Sequence, residues 1–270
     1  MSRSLVFTFS LMLASVTWAQ EAQEAVATSC TVKIWVGREA EFEELLKTAD
    51  VVSVEKIGVG VTDPSRVVLR NGDQEFRAAF KPIKRGRASG YWESFEAEIS
   101  AYELDKLLDL NMVPPTVARE IDKQKGSLQL WVENCKLYEE VQAQVPLTLS
   151  WSNQLSRMKM FDSLILNSDR NARNFLVDPE HDIILIDHSR AFLTDKKIGP
   201  VAILPYQYDR QLMERLKAMN KDQLKGIFDG VLMGGQIDAI LARRDMLVEH
   251  VEKMIAEKGE QNVLFDATTQ

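Results

Sequence analysis

A short stretch in the second half of the chain carries polar side chains that could bind a metal ion together. Asn174 opens the segment NFLV, Asp187 follows the apolar segment IILI, and the residues DPEHD join the two segments. This pattern predicts a small hairpin with Asn174 and Asp187 at the same end. An amide oxygen and a carboxylate oxygen at one point suit a hard divalent cation, Mg²⁺ or Mn²⁺, whose other ligands are phosphates and water.

A third polar residue, Asp169, lies in the loop ahead of this hairpin. A carboxylate opposite the metal ligands could accept or orient the proton of an attacking hydroxyl group. Arg170 and Arg173 lie in the same loop and could brace it or bind phosphate. Because such spacings of Asp and Asn also arise by chance in polar loops, the hypothesis depends on the elements around them.

The segment QEFRAAFK, residues 74–81, predicts a strand that could supply a cation. Side-chain alternation places Ala79 and Lys81 on the face opposite to Phe80. If that face covers a cleft, Ala79 leaves room for a flat ring and Lys81 provides a positive charge for phosphate oxygens. The alternative is that Lys81 is a solvated lysine at the end of a strand.

A helix predicted from about Ser94 to Leu110 carries an acidic residue on its apolar face. Glu98 shares that face with Phe95 and Tyr102. An isolated buried carboxylate is costly or becomes protonated, so Glu98 needs a partner, and Lys81 is the candidate. The alternative is that Glu98 lies at the edge of the apolar face and reaches water.

The order of the remaining elements predicts the fold class. The segments VVSVEKIGVGV, RVVLR and GSLQLWVE predict further strands, and Asn71-Gly72 predicts a hairpin turn. LSWSNQLSRMKMFDSLIL is helical in pattern, as is the region from Pro205 to Ile255, with a break expected at Gly234-Gly235. We therefore expect an α+β fold with a sheet-rich first half, a helix-rich second half and a cleft between them.

Composition and the N-terminus limit the function further. The chain has 270 residues and a net charge of −7, which argues against nucleic acid as a partner despite a local basic stretch from Lys81 to Arg87. Residues 1–19 resemble a secretory signal peptide in pattern, and an uncleaved anchor is the alternative. We expect export to a bacterial periplasm, the cell exterior or a secretory lumen, with no transmembrane span after cleavage.

The cysteines and histidines carry weaker signals. Export would allow a disulfide between Cys30 and Cys135, with two unpaired thiols as the alternative. Three histidines and no Cys-x-x-Cys motif give no basis for a zinc site. The adjacent residues Asp187-His188-Ser189 cannot converge as a hydrolase triad, because neighbouring residues on an extended segment point to opposite sides.

These residues together resemble a known superfamily. The order Lys81, Glu98, Asp169-x-x-x-x-Asn174 and Asp187 is similar to that of the protein-kinase-like superfamily, in its atypical branches. EISAYELDKLLDLNMVPPTVAR resembles the helix and Pro-Pro segment of the secreted four-jointed and Golgi casein kinase group and its bacterial relatives. SDRNARN and LIDHSRAF resemble loops that this group shares with the phosphatidylinositol 3- and 4-kinases and the HipA kinases. The resemblance covers about residues 51–192.

The resemblance implies a fold and an activity. The fold would be a two-lobed protein-kinase-like fold, with a β-rich N-lobe at residues 20–134 and a helical C-lobe at residues 135–270. The activity would be ATP-dependent transfer of a phosphoryl group, with Mg²⁺ or Mn²⁺, to a hydroxyl group of an unknown acceptor. A protein, a glycan, a lipid headgroup and a small molecule all remain open as acceptors.

The resemblance also implies roles for particular residues. Asp169 would be the catalytic aspartate, Asn174 and Asp187 the metal ligands, and Lys81 the phosphate contact paired with Glu98. The end of the predicted strand GSLQLWVE would contact the adenine edge through its backbone groups, and the glycine-containing loop IGVGV would cover the phosphates. These two segments contain Trp131, Val132 and Glu133, and Gly58 and Gly60, respectively.

The chain also departs from the usual kinase motifs. There is no complete G-x-G-x-x-G, no histidine two residues before Asp169, and Ser189 stands where the Asp-Phe-Gly motif has glycine. Two other functions therefore stay open. One is an exported pseudokinase that binds a nucleotide or a protein, and the other is a kinase-like enzyme that transfers AMP.

Overall fold

Residues 32–58, 64–88, 90–199 and 204–266 are described by the computed structural model of the chain. The expected signal peptide, Cys30 and Gly60 lie outside these residues, so the predictions made for them, including the disulfide, stay predictions. Cys135 is half-buried, and burial raises the pKa of its thiol to about 12.

The described residues form eight helices and twelve strands. The helices are α1 (Glu39–Thr48), α2 (Phe95–Leu108), α3 (Tyr138–Val141), α4 (Leu149–Ile165), α5 (Arg210–Ala218), α6 (Lys221–Ile227), α7 (Gly234–Lys258) and α8 (Glu260–Val263). The strands are β1 (Asp50–Lys56), β2 (Ser65–Asn71), β3 (Gln74–Lys81), β4 (Gly86–Ala88), β5 (Tyr91–Glu93), β6 (Thr116–Ile121), β7 (Gln124–Leu130), β8 (Lys136–Leu137), β9 (Phe175–Val177), β10 (Ile183–Leu185), β11 (Tyr208–Asp209) and β12 (Leu264–Phe265).

A five-stranded sheet organises the first half of the chain. Its order is β1-β2-β3-β7-β6, and all neighbouring strands are antiparallel. Alternation along β3 follows the sequence pattern, since Ala78 and Phe80 are buried whereas Ala79 and Lys81 lie on the other face and are half-buried. The helix α1 packs Phe42, Leu45 and Leu46 against the sheet, in the smaller of two hydrophobic cores. The predicted α+β fold is confirmed.

One glycine is required where two strands approach closely. A Cβ atom on Gly126 in β7 would lie 2.6 Å from the carbonyl oxygen of Lys81 and 2.8 Å from the ring of Phe80. Only a residue without a side chain fits there. The position of Lys81 at the end of β3 therefore depends on Gly126.

The helix α2 lies between β5 and β6 in sequence and packs on both sides, against β6 and β7 of the sheet and against α5 of the second half. It begins after Ser94, whose hydroxyl accepts a hydrogen bond from the N–H of Ala97 at 3.2 Å, and it ends at Asp109 in a left-handed conformation. Its buried residues Tyr102 and Leu108 belong to the larger core, together with the helices of the second half. The predicted division of the chain at residue 134 stays a prediction.

The larger core is helical, with α4 and α7 as its longest helices. The break predicted at Gly234-Gly235 lies a few residues earlier, at residues 228–233 between α6 and α7, because Gly234 and Gly235 already form the first turn of α7. The chain turns earlier, at Gly230 with φ of 70°, and the side chain of Gln236 then caps the helix by accepting from the N–H of Met233 at 2.9 Å.

The predicted hairpin in the second half is present as β9 and β10, which pair Phe175 with Leu185. The strand β8 adds to its other edge. Within the described residues, no helix combines the length and the apolar composition that crossing a membrane requires.

Candidate active site

Lys81 lies between two carboxylates that come from different parts of the chain. Its Nζ atom is 2.6 Å from Oε1 of Glu98 in α2 and 2.9 Å from Oδ1 of Asp187, which follows the hairpin. The side chains of Lys81 and Glu98 are only 12% and 2% exposed. The fold thus brings together three residues that the sequence separates by up to 106 positions.

The charges of this cluster stabilise one another. Burial by itself lowers the pKa of Lys81, but the carboxylates of Asp187 and Glu98 raise it above its ordinary value. Burial by itself raises the pKa of Glu98, but Lys81 and a hydrogen bond from His188 lower it below its usual range. Lys81 and Glu98 are therefore both ionised, as a phosphate-binding cation and its counterion require.

Glu98 uses its second oxygen to hold the segment after Asp187. Its Oε2 accepts a hydrogen bond from the backbone N–H of His188 at 3.0 Å. The buried ring of His188 accepts at Nε2 from Arg170, at 2.9 Å, because an arginine can only donate. Burial lowers the pKa of His188, so the ring is neutral with its proton on Nδ1.

Arg170 is largely buried and braces the loop that contains Asp169. It donates to Asp162 at 2.9 Å and 3.1 Å, and to the backbone carbonyls of Asn174 and Ile186. Of the two roles that the sequence left open for Arg170, bracing is the one that these contacts support. Arg173 is exposed and pairs with Glu139.

The two expected metal ligands flank the same end of the hairpin. The N–H of Ile186 donates to the carbonyl of Asn174 at 3.3 Å, which places Asp187 next to Asn174. The Asn174 amide nitrogen donates to the carbonyl of Asp169 at 2.6 Å, so its oxygen is left as the potential ligand. Asp187 has a left-handed backbone with φ of 61°, which is uncommon for a residue with a side chain.

These residues fit a divalent cation in part. Asn174 and Asp187 offer an amide and a carboxylate oxygen, which are hard donors of the kind that Mg²⁺ and Mn²⁺ bind. Among the described residues, no group of three or more His, Cys, Asp or Glu side chains could hold a metal ion. A cation here would need phosphate and water oxygens to complete its coordination.

Asp169 has a partner that the sequence did not predict. Its Oδ2 accepts from Nη1 of Arg190 at 3.1 Å, and the Nε atom of Arg190 donates to Glu93 at 2.7 Å. The Asp169 side chain is 37% exposed, whereas those of Arg190 and Glu93 are 14% and 5% exposed. The carboxylate of Asp169 is thus partly accessible to solvent while the largely buried pair of Arg190 and Glu93 holds it.

The residues expected to contact the nucleotide base line the end of β7. The backbone N–H of Trp131 donates to the carbonyl of Arg77 at 3.0 Å, so this group is not free to bind an adenine edge. Val132 is buried, and Glu133 pairs with Arg77 at 2.7 Å. In the loop that was expected to cover the phosphates, Gly58 is exposed and has φ of 68°.

The sheet with its helix, the Lys81–Glu98 pair and the paired loops define a kinase-like protein. The sequence profile of the phosphatidylinositol 3- and 4-kinase family matches residues 42–257. The chain belongs to this family.

Solved structures agree on the fold. The structure of hydra Fam20 with sugar matches with a TM-score of 0.67 at 17% identity, covering 85% of this chain and 92% of that one. The Golgi casein kinase with Mn/ADP bound matches with a TM-score of 0.66 at 14% identity, covering 100% of this chain and 98% of that one. The resemblance to the atypical kinases inferred from the sequence is confirmed.

A curated relative is similar in a shorter region. The pseudokinase FAM20A of Mus musculus is 33% identical over 101 residues, which cover 31% of this chain and 19% of the mouse protein. The matched region thus spans about a fifth of the length of that relative.

Proposed function

We propose that the protein is an ATP-dependent phosphotransferase that moves a phosphoryl group to a hydroxyl group of its acceptor. The observation that carries the proposal is the ionised Lys81–Glu98 pair, which also contacts Asp187. A buried cation held between two carboxylates is suited to bind an anion that replaces one of the carboxylates as its partner. The phosphates of a nucleotide are such an anion.

The nucleotide would lie between the sheet and the hairpin. Lys81 would bind its phosphate oxygens, and Ala79, on the same face of β3, would leave space for the base. The loop with Gly58 and Gly60 would cover the phosphates, and the backbone of Val132 and Glu133 would contact the adenine edge in place of the occupied N–H of Trp131. The Golgi casein kinase structure with Mn/ADP bound supports the use of a nucleotide and a metal.

Asn174 and Asp187 would hold Mg²⁺ or Mn²⁺, which when bound neutralises negative charge on the phosphates. To take part, Asp187 must loosen its contact with Lys81, and Glu98 then remains to keep Lys81 in place. Asp169 would accept a hydrogen bond from the acceptor hydroxyl and orient it for in-line attack. The Asn174 amide, which donates to the Asp169 carbonyl, would keep the metal ligand and the acceptor-orienting aspartate in a fixed relative position.

A non-catalytic function is the second candidate, favoured by the similarity to a protein named a pseudokinase. In that case the same pocket would bind a nucleotide or a partner protein without transfer. Transfer of AMP, the other alternative, uses the same residues, and the mass added to the acceptor separates it from phosphoryl transfer.

The proposed location is outside the cytoplasm, on the basis of the N-terminal pattern MSRSLVFTFSLMLASVTWAQ. A Golgi casein kinase is among the similar solved structures, and the Golgi is a compartment of the secretory pathway. Fractionation of cells that express the full chain tests this proposal.

Incubation with γ-labelled ATP and Mg²⁺ or Mn²⁺ tests the phosphotransferase. Label should enter the protein itself or an added acceptor mixture, and Asp187→Asn and Asp169→Asn should abolish it. Asp238→Asn, an exposed residue in α7 paired with Lys221, is the matched control and should leave it unchanged.

Binding without transfer supports the pseudokinase. A thermal shift with ATP and metal that Asp187→Asn removes, together with no labelled product, would identify that case. Equal labelling of the wild type and of Asp187→Asn would contradict the phosphotransferase proposal.

A further inference from the structure

Four consecutive residues after the hairpin are each bonded to a residue in the first half of the chain. Each residue of this DHSR segment, residues 187–190, has one polar partner on the N-terminal side of the cleft. The partners are Lys81 for Asp187, Glu98 for His188, Ser94 for Ser189 and Glu93 for Arg190. Three of the four partners lie within residues 93–98, at the end of β5 and the start of α2.

Arg190 is held rigidly within this segment. Its Nε atom donates to Glu93 at 2.7 Å, and its guanidinium lies over the ring of Tyr91 at 4.3 Å from the ring centre. Burial by itself lowers the pKa of Arg190, but Glu93 and Asp169 raise it, so the charge persists. A cation fixed in this way on two sides is a defined hydrogen-bond donor for a third group.

The third group is Asp169. In the part of the chain that the structure describes, Arg190 is the one side chain that hydrogen-bonds to the Asp169 carboxylate, at 3.1 Å. The carbonyl of Asp169 accepts from the side-chain amides of Asn171 and Asn174 within the same loop. The contact with Arg190 thus holds the orientation of the Asp169 carboxylate and ties this loop to the DHSR segment.

We infer that Arg190 is a positioning residue, which aligns the Asp169 carboxylate with the acceptor hydroxyl and makes this alignment depend on Glu93, the last residue of β5. The inference rests on the proposed phosphotransferase function. Because Glu98 lies only five residues further along the chain, in the first turn of α2, the phosphate-binding lysine and the acceptor-orienting aspartate would both be aligned by residues 93–98. No motif in the sequence assigns this role to Arg190.

Three variants and a control test the inference. Arg190→Met removes the charge and keeps the stem, Arg190→Lys keeps the charge without the fork, and Glu93→Gln weakens the hold on Arg190. Arg87→Met is the matched control, because the Arg87 side chain is exposed on the neighbouring strand β4 and makes no hydrogen bond or ion pair with the described residues.

The expected result is a loss of turnover without a loss of nucleotide binding. In assays with ATP and Mg²⁺, kcat for phosphoryl transfer should fall about 100-fold in Arg190→Met and about 10-fold in Arg190→Lys and Glu93→Gln. KM for ATP and the thermal shift with ATP should stay within about twofold of wild type, and Arg87→Met should match wild type. Equal kcat in Arg190→Met and wild type, or a parallel loss of ATP affinity, would overturn the inference.

Hydrogen exchange separates this inference from the proposed function. Residues 167–174 should exchange several-fold faster in Arg190→Met and Glu93→Gln than in Arg87→Met, at temperatures where all remain folded. If the wild type transfers no phosphate, the phosphotransferase proposal fails, and this exchange still decides the role of Arg190. Unchanged exchange in both variants would mean that Arg190 does not position Asp169.

Discussion

Strand β3 carries two ion pairs on the same face, and they differ in burial. Arg77 and Glu133, near the end of β7, are 43% and 45% exposed, whereas Lys81 and Glu98 are 12% and 2% exposed. An exposed pair contributes little to stability because water and salt screen it. A buried pair costs much when one partner is removed, because the other charge is left without solvent. We therefore expect the exposed Arg77–Glu133 pair to be a surface feature and the buried Lys81–Glu98 pair to be part of the site.

The largest effect is expected from Lys81→Met, which leaves Glu98 without its lysine. Urea denaturation should give a free energy of unfolding lower by about 3–5 kcal/mol. Phosphoryl transfer should fall at least about 100-fold, because the phosphates lose their cation. Lys81→Arg is the control, and it should keep most of the stability. A Lys81→Met protein as stable as wild type would mean that Glu98 is not held as a buried ion.

A second buried carboxylate on α2, Asp105, sharpens the comparison, since burial outweighs the charges of Lys33 and Arg157 there. Burial raises the pKa of Asp105 to about 7, although the N–H groups of Met112 and Val113 donate to it. In the unfolded chain this carboxyl titrates near its ordinary pKa of about 3.9. Between about pH 4 and 7 the folded protein therefore binds more protons at Asp105, and its contribution to stability falls as pH rises.

Asp105→Asn cannot ionise, so its free energy of unfolding should exceed that of wild type by a margin that grows over this pH range. The margin should reach at most about 4 kcal/mol. Urea denaturation of both proteins at several pH values measures it. A margin that does not vary with pH would show that Asp105 does not titrate in this range.

Gly126→Ala is expected to disturb the buried pair through the backbone. The new Cβ atom would press on the carbonyl of Lys81, so unfolding free energy should fall by about 1–3 kcal/mol. Gly226→Ala, in the helix α6 with open space around it, is the control and should stabilise by up to about 1 kcal/mol. Equal effects of the two substitutions would mean that β7 can shift away from β3.

The smallest effect is expected from Arg77→Met, which breaks the exposed pair. Its free energy of unfolding should change by less than about 1 kcal/mol. Its rate of phosphoryl transfer should stay close to that of wild type. A loss comparable to that of Lys81→Met would mean that burial is not what separates the two pairs.

Local signals in the sequence predicted much of the fold. Asn71-Gly72 correctly marked the β2–β3 hairpin, and the helix predicted from Ser94 to Leu110 is observed as α2. The strand β6 was missed because its hairpin turn uses Asp122 and Lys123, both with positive φ, in place of the usual Asn-Gly. The helix α1 was missed although Phe42, Leu45 and Leu46 have helical spacing.

The site was predictable where spacing within one element carried the signal. Asn174 and Asp187 flank one hairpin, and Glu98 lies on a helical face, so local patterns suggested all three. The Arg190–Asp169 contact could not be predicted in this way, because it depends on Glu93, which is 97 residues away in sequence. A contact of that kind is set by how the two cores are packed together and not by any local pattern.

The helix α2 packs in the larger core, while β3 packs in the smaller one. The ion pair of Lys81 and Glu98 therefore joins residues whose elements contribute to different hydrophobic cores. Widening the cleft at this point would require the two charges to separate out of reach of bulk water. A protein built in this way should keep one preferred cleft width before any ligand arrives.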